Sequence, residues 1–382
     1  MSLPLKILFP GQLVFGNDTF PGLAEELIRR RPARVLICSI SPLSGITDEL
    51  KGRLSDAGIS VETDTSIVAE PSFSDFHALM DRVRDFDPEA VVGIGGGSVL
   101  DVAKLVAAQL GNSQRLEDYV GIGLLKQRSR LLVCVPTTSG TGSEVSPNAI
   151  LVDEADGQKK GIISPFLVPD IVYVDPMLTH SVPPAITAAT GIDALTHCLE
   201  AYTNKFALPF IDNFALEGMR RISAHIIDAV MDGTNVIARE EVSLGSLYGG
   251  FCLGPVNTAG VHALSYPLGS LYHLSHGLSN ALLLPWVMEY NIPASPKRHA
   301  DVAVALGCTT GRDDMETAMA GVERIRSINR ACGIPSRLSD VGVKVDSLPG
   351  MARDAMKVQR LLKNNPREIT EADALNIFKQ AL

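Results

Sequence analysis

Short, continuous apolar runs recur through the first part of the chain, and helical patterns separate them. The runs lie at residues 34–38, 90–94 and 131–135, and turn residues follow them. Residues 73–86 have the apolar spacing of an amphipathic helix. Runs that are apolar without alternation are typical of parallel strands covered on both faces. The first part of the chain is therefore predicted to form an α/β domain around a parallel sheet.

The second part of the chain has a different pattern, dominated by long helical periods. Apolar positions repeat with helical spacing over residues 185–202, 209–232 and 239–252, and few runs there resemble strands. The change falls near Asp175 and Pro176, with no repeat, low-complexity tract or long linker around it. We therefore predict an α/β domain over 1–176 and an all-helical domain over 177–382, packed closely with a cleft between them.

Composition limits the classes of protein to which the chain can belong. A chain of 382 residues with 46% hydrophobic residues can bury two ordinary cores. Its net charge of −9 is unsuited to the phosphate backbone of a nucleic acid, which requires a basic surface. The N-terminus lacks a secretory pattern, and no apolar run reaches the roughly 18–20 residues that span a bilayer. We expect a cytoplasmic protein without nucleic-acid or membrane partners.

A glycine-rich turn follows the apolar run at residues 90–94. Residues 95–98, Gly-Gly-Gly-Ser, lead from this predicted strand into a stretch of helical character. Backbone N–H groups at a helix N-terminus, together with the helix dipole, bind anions, and glycine lets a pyrophosphate approach closely. The turn departs from the G-x-G-x-x-G pattern, and a turn that serves only the backbone is the alternative. We favour phosphate binding.

A second segment supports the same interpretation. Residues 136–144, Pro-Thr-Thr-Ser-Gly-Thr-Gly-Ser-Glu, follow the run at 131–135 and concentrate hydroxyls and glycines. Hydroxyl donors at the carboxyl end of a parallel strand suit a nucleotide that lies over the crevice of the sheet, and a plain Ser/Thr loop is the alternative. Lys160, further along, has the reach to contact a ribose or phosphate, although a solvated lysine is the commoner case.

A carboxylate and several histidines form a candidate metal site. Asp193 and His197 lie four residues apart in a stretch of helical composition and so share one helix face, as a surface Asp–His hydrogen bond would also require. His262, His273 and His276 follow in a mostly apolar region. Buried imidazoles require partners, and either a metal shared with a carboxylate or backbone carbonyls can satisfy them. One carboxylate with imidazoles suits Fe(II) or Zn(II), with positions left open to substrate.

Four motifs contain the residues described above. They are Gly-Gly-Gly-Ser98-x-x-Asp101-x-Ala-Lys104, Pro136-Thr-Thr-x-Gly-Thr-Gly-Ser-Glu144, Ala189-Thr-Gly-x-Asp193-Ala-Leu-x-His197-x-x-Glu200, and His262-Ala-Leu-x-x-Pro-Leu-Gly269 followed by His276-Gly. Together they resemble the iron-containing (group III) alcohol dehydrogenase family. The resemblance extends from Phe15-Gly16 to Asn364-Asn365-Pro366-Arg367 and so covers nearly the whole chain.

The resemblance implies a dehydroquinate synthase-like fold, with an N-terminal dinucleotide-binding α/β domain, an all-α C-terminal domain and a metal in the cleft between them. It places the metal, Fe2+ or alternatively Zn2+, on Asp193, His197, His262 and His276, and so selects His276 over His273. The implied reaction is hydride transfer that interconverts an alcohol and its aldehyde or ketone, in a homodimer or larger homo-oligomer. The candidate contacts to NAD or NADP are Gly96, Gly97, Ser98, Asp101, Thr137, Thr138, Ser143, Lys160 and Leu178.

The chain departs from the family pattern in three places. Where members that prefer NAD often carry an aspartate, residues 39–41 read Ser-Ile-Ser, which leaves the preference between NAD and NADP open. Where many members have a further histidine, the chain has Tyr266, a candidate catalytic side chain that can form a hydrogen bond or simply pack. Residues 254–260 also differ, so the substrate is expected to differ. Asn148 is a further candidate residue of the substrate site.

Related enzymes offer alternative functions. Maleylacetate-reductase-like reduction of an acidic carbonyl compound is the first, and a cluster of arginines or lysines near the metal would favour it. A dehydroquinate-synthase-like lyase is more remote, because it requires a strongly basic site and the stretches around the proposed ligands are mostly apolar. A non-catalytic binding protein is expected to have lost a metal ligand or the glycine turn, and the sequence retains both.

Overall fold

The computed structural model describes residues 7–68, 70–155 and 157–382. Within this part of the chain the strands lie before Asp175 and the long helices follow it. The predicted fold class, an α/β N-terminal part and a helical C-terminal part, is confirmed.

Two sheets are present in the described residues. Their strands are β1 (Gln12–Phe15), β2 (Arg34–Cys38), β3 (Ser60–Asp64), β4 (Ala90–Gly95), β5 (Gly121–Ile122), β6 (Leu131–Pro136), β7 (Asn148–Asp153), β8 (Gln158–Ile163) and β9 (Ile171–Val174). The larger sheet has the order β1-β9-β6-β4-β2-β3 and is parallel throughout. The three apolar runs of the sequence are its strands β2, β4 and β6. Every residue of β4 is buried, as expected of a strand covered on both faces.

The smaller sheet has the order β5-β8-β7. β7 and β8 form an antiparallel pair, and β5 adds to β8 in parallel. The apolar runs that predicted the larger sheet do not extend to these strands, which contain more polar and half-buried positions. The sequence pattern therefore gave no prediction for this sheet.

The helices of the described residues fall into two groups. In the α/β part they are α1 (Gly22–Arg30), α2 (Ser44–Asp56), α3 (Phe73–Val83) and α4 (Gly97–Gln109). The others are α5 (Pro184–Thr203), α6 (Pro209–Met231), α7 (Val236–Leu253), α8 (Gly260–Tyr272), α9 (His276–Asn291), α10 (Pro296–Ala305), α11 (Asp314–Ala331), α12 (Leu348–Ala355), α13 (Gln359–Leu362) and α14 (Glu371–Ala381). None of the described helices is both long and apolar enough to cross a membrane.

The chain divides into two compact units. The α/β unit contains the described residues up to Thr138 together with Ser143–Thr179, and the helical unit contains Ser139–Gly142 and His180–Leu382. Four residues of the threonine-rich segment after β6 thus belong to the helical unit. α5, α6 and α7 pack against one another within that unit.

Candidate metal centre

The helical unit brings together the four side chains that the sequence analysis singled out as metal ligands. Asp193 and His197 lie one turn apart in α5, His262 lies in the first turn of α8, and His276 is the first residue of α9. One ligand atom from each residue, a carboxylate oxygen or an imidazole nitrogen, lies within 4.8 Å of those of the other three. The i, i+4 spacing in α5 places its two ligands on one face of the helix.

Asp193 lies close to all three histidines of the cluster. Its Oδ1 is 3.7 Å from Nε2 of His197, 3.6 Å from Nε2 of His262 and 3.8 Å from Nε2 of His276. These separations are too long for hydrogen bonds, so the Asp193 oxygen and the three imidazoles converge without hydrogen bonds between them and the carboxylate. The side chain of His276 is 32% exposed, whereas the other three are almost fully buried. His276 therefore marks the side of the cluster that a small molecule can approach.

Glu200 holds the His262 imidazole from the side away from the other ligands. Its Oε2 lies 2.6 Å from Nδ1 of His262, and the carboxylate also accepts backbone N–H groups of Ala259 and Val261. An ionised carboxylate only accepts hydrogen bonds, so Nδ1 carries the imidazole proton and Nε2 keeps its lone pair. Glu200 is part of the motif quoted from the sequence, but the sequence did not predict that it would bind His262. Its position seven residues after Asp193, on the same face of α5, was the available signal.

Asn280 is a further polar residue of the cluster, which the sequence analysis missed. It is fully buried in α9, one turn after His276. Its Nδ2 donates to Oδ1 of Asp193 at 2.7 Å and lies 3.1 Å from Nε2 of His262. Its Oδ1 has no hydrogen-bond partner among the described residues. The amide N–H groups of Asn280 therefore lie where the carboxylate oxygen and the imidazole nitrogens converge, which are atoms that can bind a cation.

The protonation states of the cluster suit a cation. Burial lowers the pKa of His197 to about 4, so its imidazole is neutral at pH 7. Burial acts to raise the pKa of Asp193, but the surrounding imidazoles and the Asn280 amide outweigh it, and the pKa lies below its usual value. Ligands must lose their protons before they bind a metal. One carboxylate and three imidazoles therefore fit a divalent ion such as iron or zinc.

His273 lies outside the cluster. It ends α8 in the left-handed conformation, with φ of 54°, and its side chain is exposed. His276, three residues later, begins the next helix and points its Nε2 toward Asp193. The structure therefore groups His276, and not His273, with the other candidate ligands.

Ser139–Gly142 packs against α5 and α7, and this packing depends on its glycines. Gly142 has φ of +61°, and a Cβ there would lie 2.3 Å from Cα of Gly250 in α7. A Cβ on Gly140 would lie 2.6 Å from Cβ of Thr190 in α5, the helix that carries two candidate ligands. No side chain fits at either distance. These two glycines of the predicted nucleotide-binding segment thus have a packing role.

The predicted phosphate-binding turn has the expected backbone. β4 ends at Gly95 and α4 begins at Gly97, so a strand leads through glycines into a helix N-terminus. Gly96 lies beside Thr138, because β4 and β6 are neighbouring strands. The first N–H groups of α4 have no partners inside the helix and are available to an anion. Contact between the cofactor and the residues at this edge of the sheet stays a prediction. These residues are Gly96, Gly97, Ser98, Thr137 and Thr138.

Asp101 and Ser143 bond to each other in the α/β unit. The Asp101 carboxylate accepts the Ser143 hydroxyl and, at 2.9 Å, the backbone N–H of Ile150. Lys104, one turn later in α4, is fully buried and donates to the carbonyl of Asn148 at 2.8 Å. These hydrogen bonds connect α4 to β7, so Asp101 and Ser143 have a structural role. A cofactor contact by either residue stays a prediction.

The remaining candidates of the α/β unit lie on three different elements. Lys160, in β8, has its Nζ 3.8 Å from the Asp153 carboxylate. Leu178, after β9, packs against the apolar core of the unit. Asn148 begins β7, and its side-chain oxygen has no partner among the described residues. Their roles toward cofactor or substrate stay predictions.

Tyr266 borders the metal cluster. It is half-buried in α8, one turn after His262, and its ring centroid lies 6.3 Å from that of His276. Its hydroxyl accepts a hydrogen bond from Nη2 of Arg360 at 2.9 Å. The tyrosine therefore lies between the cluster and an arginine that the sequence analysis did not consider.

Comparison with known proteins agrees with this architecture. A family model described as iron-containing alcohol dehydrogenase matches residues 10–176, and the C-terminal model of the Fe-containing alcohol dehydrogenase family matches residues 187–382. Long-chain-alcohol dehydrogenase 1 of Geobacillus thermodenitrificans is 36% identical, over 98% of this chain and 96% of that protein. NAD-dependent methanol dehydrogenase of Bacillus methanolicus is 32% identical, over 99% and 100% of the two chains.

Solved structures give the same result. The crystal structure of a 1,3-propanediol oxidoreductase has a TM-score of 0.95 to this chain, with 33% identity and 100% of both chains covered. The matches span both the α/β and the helical parts, and the fold and the four-ligand cluster accord with them. The chain belongs to the iron-containing alcohol dehydrogenase family.

Proposed function

We propose that this protein is an oxidoreductase that interconverts a small alcohol and its aldehyde or ketone, with a nicotinamide cofactor and one divalent metal ion, Fe2+. This proposal rests on one observation, the convergence of the side chains of Asp193, His197, His262 and His276. Their donor set, one carboxylate and three imidazoles, is the one that a borderline divalent cation prefers.

The chain's own residues position the reactants. A metal ion bound by the four side chains supplies a Lewis acid for the substrate oxygen, and the nicotinamide gives or accepts the hydride. Glu200 keeps the proton of His262 on Nδ1 and so aims Nε2 at the other ligand atoms. The buried walls of the cluster exclude water, which strengthens electrostatic interactions at the site. The half-exposed His276 leaves one side open to the substrate.

The cofactor is proposed to bind at the carboxyl ends of β4 and β6. The glycine turn before α4 and the adjacent Thr138 support a pyrophosphate there. Ser39, directly after β2, is buried and donates its hydroxyl to the carbonyl of Ile94 at 2.8 Å. Residues 39–41 contain no carboxylate to repel a 2′-phosphate. We therefore propose that the protein accepts NADP as well as NAD.

Neither alternative function from the sequence is favoured. A long-chain-alcohol dehydrogenase and a NAD-dependent methanol dehydrogenase are among the relatives that cover nearly the whole chain. Dehydroquinate-synthase-like chemistry needs a strongly basic site, whereas the walls of the cluster in α5 and α8 are mostly apolar. We retain alcohol–aldehyde interconversion.

We further propose that the protein forms a homodimer or larger homo-oligomer. β1 is an edge strand that pairs only with β9 among the described strands, so its other edge has free backbone groups. Light scattering coupled to size-exclusion chromatography measures the mass in solution. A monomeric mass at micromolar concentration contradicts this part of the proposal.

Metal analysis and a cofactor-linked screen test the proposed function. The purified protein is loaded separately with Fe2+ under anaerobic conditions and with Zn2+, and aldehydes and alcohols are tested with each redox form of NAD and NADP. We expect one bound metal ion per chain and turnover that depends on it. A metal-loaded protein that turns over no alcohol or aldehyde with either cofactor contradicts the proposal.

His262→Ala is the matching variant, with His273→Ala as its control. Removal of one imidazole ligand is expected to weaken metal binding at least ~100-fold and to abolish turnover. His273 is exposed and lies outside the cluster, so its loss should change neither metal content nor turnover. Full activity of a metal-free His262→Ala protein contradicts the role of the cluster.

A further inference from the structure

The segment Ser139–Gly142 is held against α7 at both of its ends. At its start, Oγ of Ser139 lies 2.7 Å from Oγ of Ser243, which is buried in α7. At its end, Gly142 lies so close to this helix that a Cβ added to it would be 2.3 Å from Cα of Gly250. Closely packed backbones transmit displacements to one another. The position of the segment is therefore tied to that of the helix.

The middle of the segment faces a candidate metal ligand. His197 lies in α5, and its Nδ1 is buried without a hydrogen bond of ordinary geometry among the described residues. The backbone of Gly140 acts to raise the pKa of this imidazole, as a carbonyl beside a ring N–H does, although burial outweighs the effect. A histidine that binds a metal through one nitrogen almost always donates its other N–H to a carbonyl, a carboxylate or water. The structure offers His197 the carbonyl of Gly140.

Along the chain, the same segment lies between candidate cofactor contacts. Thr137 and Thr138 precede it and Ser143 follows it, and all three belong to the α/β unit. Thr138 lies beside Gly96 of the glycine turn. A cofactor that binds these residues therefore restrains the segment through its covalent ends, while the middle of the segment faces a metal ligand.

We propose that Ser139–Gly142 couples the two binding sites, so that the metal ion and the nicotinamide cofactor each bind more tightly when the other is present. When Nε2 of His197 binds the metal ion, the imidazole is fixed, and its Nδ1–H donates to the Gly140 carbonyl and orders the segment. A cofactor that binds afterwards has less chain to order. The effect is reciprocal, because a coupling free energy belongs to the pair of ligands. This inference rests on the proposed function and adds a dependence between its two sites.

Binding measurements test the coupling without turnover. The probe metal is Zn2+, which has no redox chemistry of its own. Fluorescence of NADH gives its dissociation constant in Zn2+-loaded and chelator-treated protein, and competition with a chromophoric chelator gives that of Zn2+ with and without NADH. We expect both dissociation constants to fall by the same coupling factor, about 5-fold or more. A factor of one in both directions overturns the inference.

NAD+ separates the action of the segment from a direct electrostatic effect. Its nicotinamide ring carries a positive charge, which a nearby metal ion repels, whereas the ring of NADH is neutral. Coupling through the segment should favour the binding of both forms. If metal loading strengthens the binding of NADH and weakens that of NAD+, the coupling comes from charge, and the role of the segment is overturned.

Ser243→Ala removes the hydrogen bond that holds the start of the segment. It should lower the coupling factor about 2–10-fold, as for loss of one hydrogen bond, and leave the affinity for Zn2+ without cofactor unchanged. Ser139→Ala removes the same bond from its other side, so the two single variants and the double variant should share one factor. Ser223→Ala is the matched control, because this buried serine of α6 bonds to Arg220 of its own helix. Equal factors in the parent protein and Ser243→Ala overturn the role of the segment.

Amide hydrogen exchange tests the link to the metal without a variant or a cofactor. Loading with Zn2+ alone should slow exchange in residues 137–143, because the fixed imidazole orders the segment. A protein that binds both ligands independently keeps the proposed function and loses only this inference. If the Zn2+-loaded protein binds neither NAD nor NADP, the proposed function fails, and exchange in the segment still tests the link. Exchange that is the same with and without Zn2+ then excludes it, and a protein that binds no metal contradicts both proposals.

Discussion

Glu200 shows how one buried carboxylate organises the candidate metal centre. It is 3% exposed and binds both the His262 imidazole and two backbone N–H groups at the start of α8. The same side chain therefore fixes the tautomer of a ligand and the position of the helix that carries it. Partners of this kind usually matter to a metal site almost as much as its ligands.

Glu200→Gln is expected to weaken metal binding about 10–100-fold. An amide oxygen still accepts the Nδ1 proton of His262, but it is neutral, so the imidazole becomes a poorer ligand. Competition with a chromophoric chelator measures the affinity. Glu323→Gln, at a glutamate whose side chain is 61% exposed, is the control and should bind metal like the parent protein. Unchanged affinity in a folded Glu200→Gln protein contradicts this role.

The buried carboxyl group of Glu144 makes the free energy of unfolding depend on pH. It is 3% exposed, and burial raises the pKa of its carboxyl from 4.5 to about 7. The folded protein therefore keeps a proton that the unfolded chain has lost between these two pH values. The resulting contribution to stability is complete below pH 4.5 and is lost as the pH rises through about 7.

Glu144→Gln should remove this loss of stability. Across the interval the group changes the free energy of unfolding by roughly 3 kcal/mol, and glutamine has no proton to lose. Above pH 7 the variant is expected to melt at a higher temperature than the parent protein, and its melting temperature should depend less on pH between 4.5 and 7. Glu49→Gln, at an exposed position of α2, controls for the change of charge. Parallel pH profiles for all three proteins contradict the prediction.

At the scale of elements, the contact between Ser139–Gly142 and α7 depends on the absence of a side chain. Gly142 has a left-handed φ of +61°, and a Cβ added to it would lie 2.3 Å from Cα of Gly250. Gly58 has a φ of +82° but no atom within 4 Å of such a Cβ. The two glycines thus share the backbone conformation and differ in the space around them.

Gly142→Ala is expected to destabilise the protein by more than about 2 kcal/mol, because backbone strain adds to a clash between backbones. Gly58→Ala should cost only about 1 kcal/mol, from the left-handed conformation alone. Calorimetric melting curves compare the two variants. Equal falls in the melting temperatures of the two variants would contradict the prediction, because they would show that the segment can move away from α7 without loss of stability.

Elements with uniform patterns were predictable from the sequence. The strands β2, β4 and β6 match their apolar runs within one residue, and α5 and α6 match their predicted helices equally well. The three strands are buried almost throughout, and the two helices repeat buried positions at helical spacing, so local sequence indicates both their type and their limits. β7 and β8 contain polar and half-buried positions, and their pairing depends on contacts that no local pattern reveals.

The convergence of the four candidate ligands was predictable for a different reason. Asp193 and His197 share one helix face by spacing alone, and the family motifs supplied the two histidines from other helices. The role of Asn280 was not predictable, because a single asparagine in an apolar helix carries no pattern. Arg360 was missed as well, since its relation to Tyr266 joins residues 94 positions apart in the chain.

At the scale of the whole molecule, the candidate ligands connect three helices that are distant in sequence. α5, α8 and α9 each contribute at least one ligand, and these helices belong to the same compact unit. A group bound only by the folded state stabilises that state by mass action, by about 4 kcal/mol at a thousand times its dissociation constant. Metal should therefore stabilise the helical unit in particular.

Removal of the metal is expected to lower the melting temperature and to increase amide hydrogen exchange unevenly. Exchange should rise in α5, α8 and α9, where the ligands lie, and change little in β2, β4 and β6, whose hydrogen bonds belong to the parallel sheet of the α/β unit. Mass spectrometry of the Fe2+-loaded and chelator-treated protein measures both regions in one sample. Restoring Fe2+ should reverse the change, and His262→Ala should show the exchange of the metal-free protein with or without added metal. A uniform increase across both units would mean that the metal does not act through these helices, because a local link between three helices has no reason to loosen the strands of the sheet.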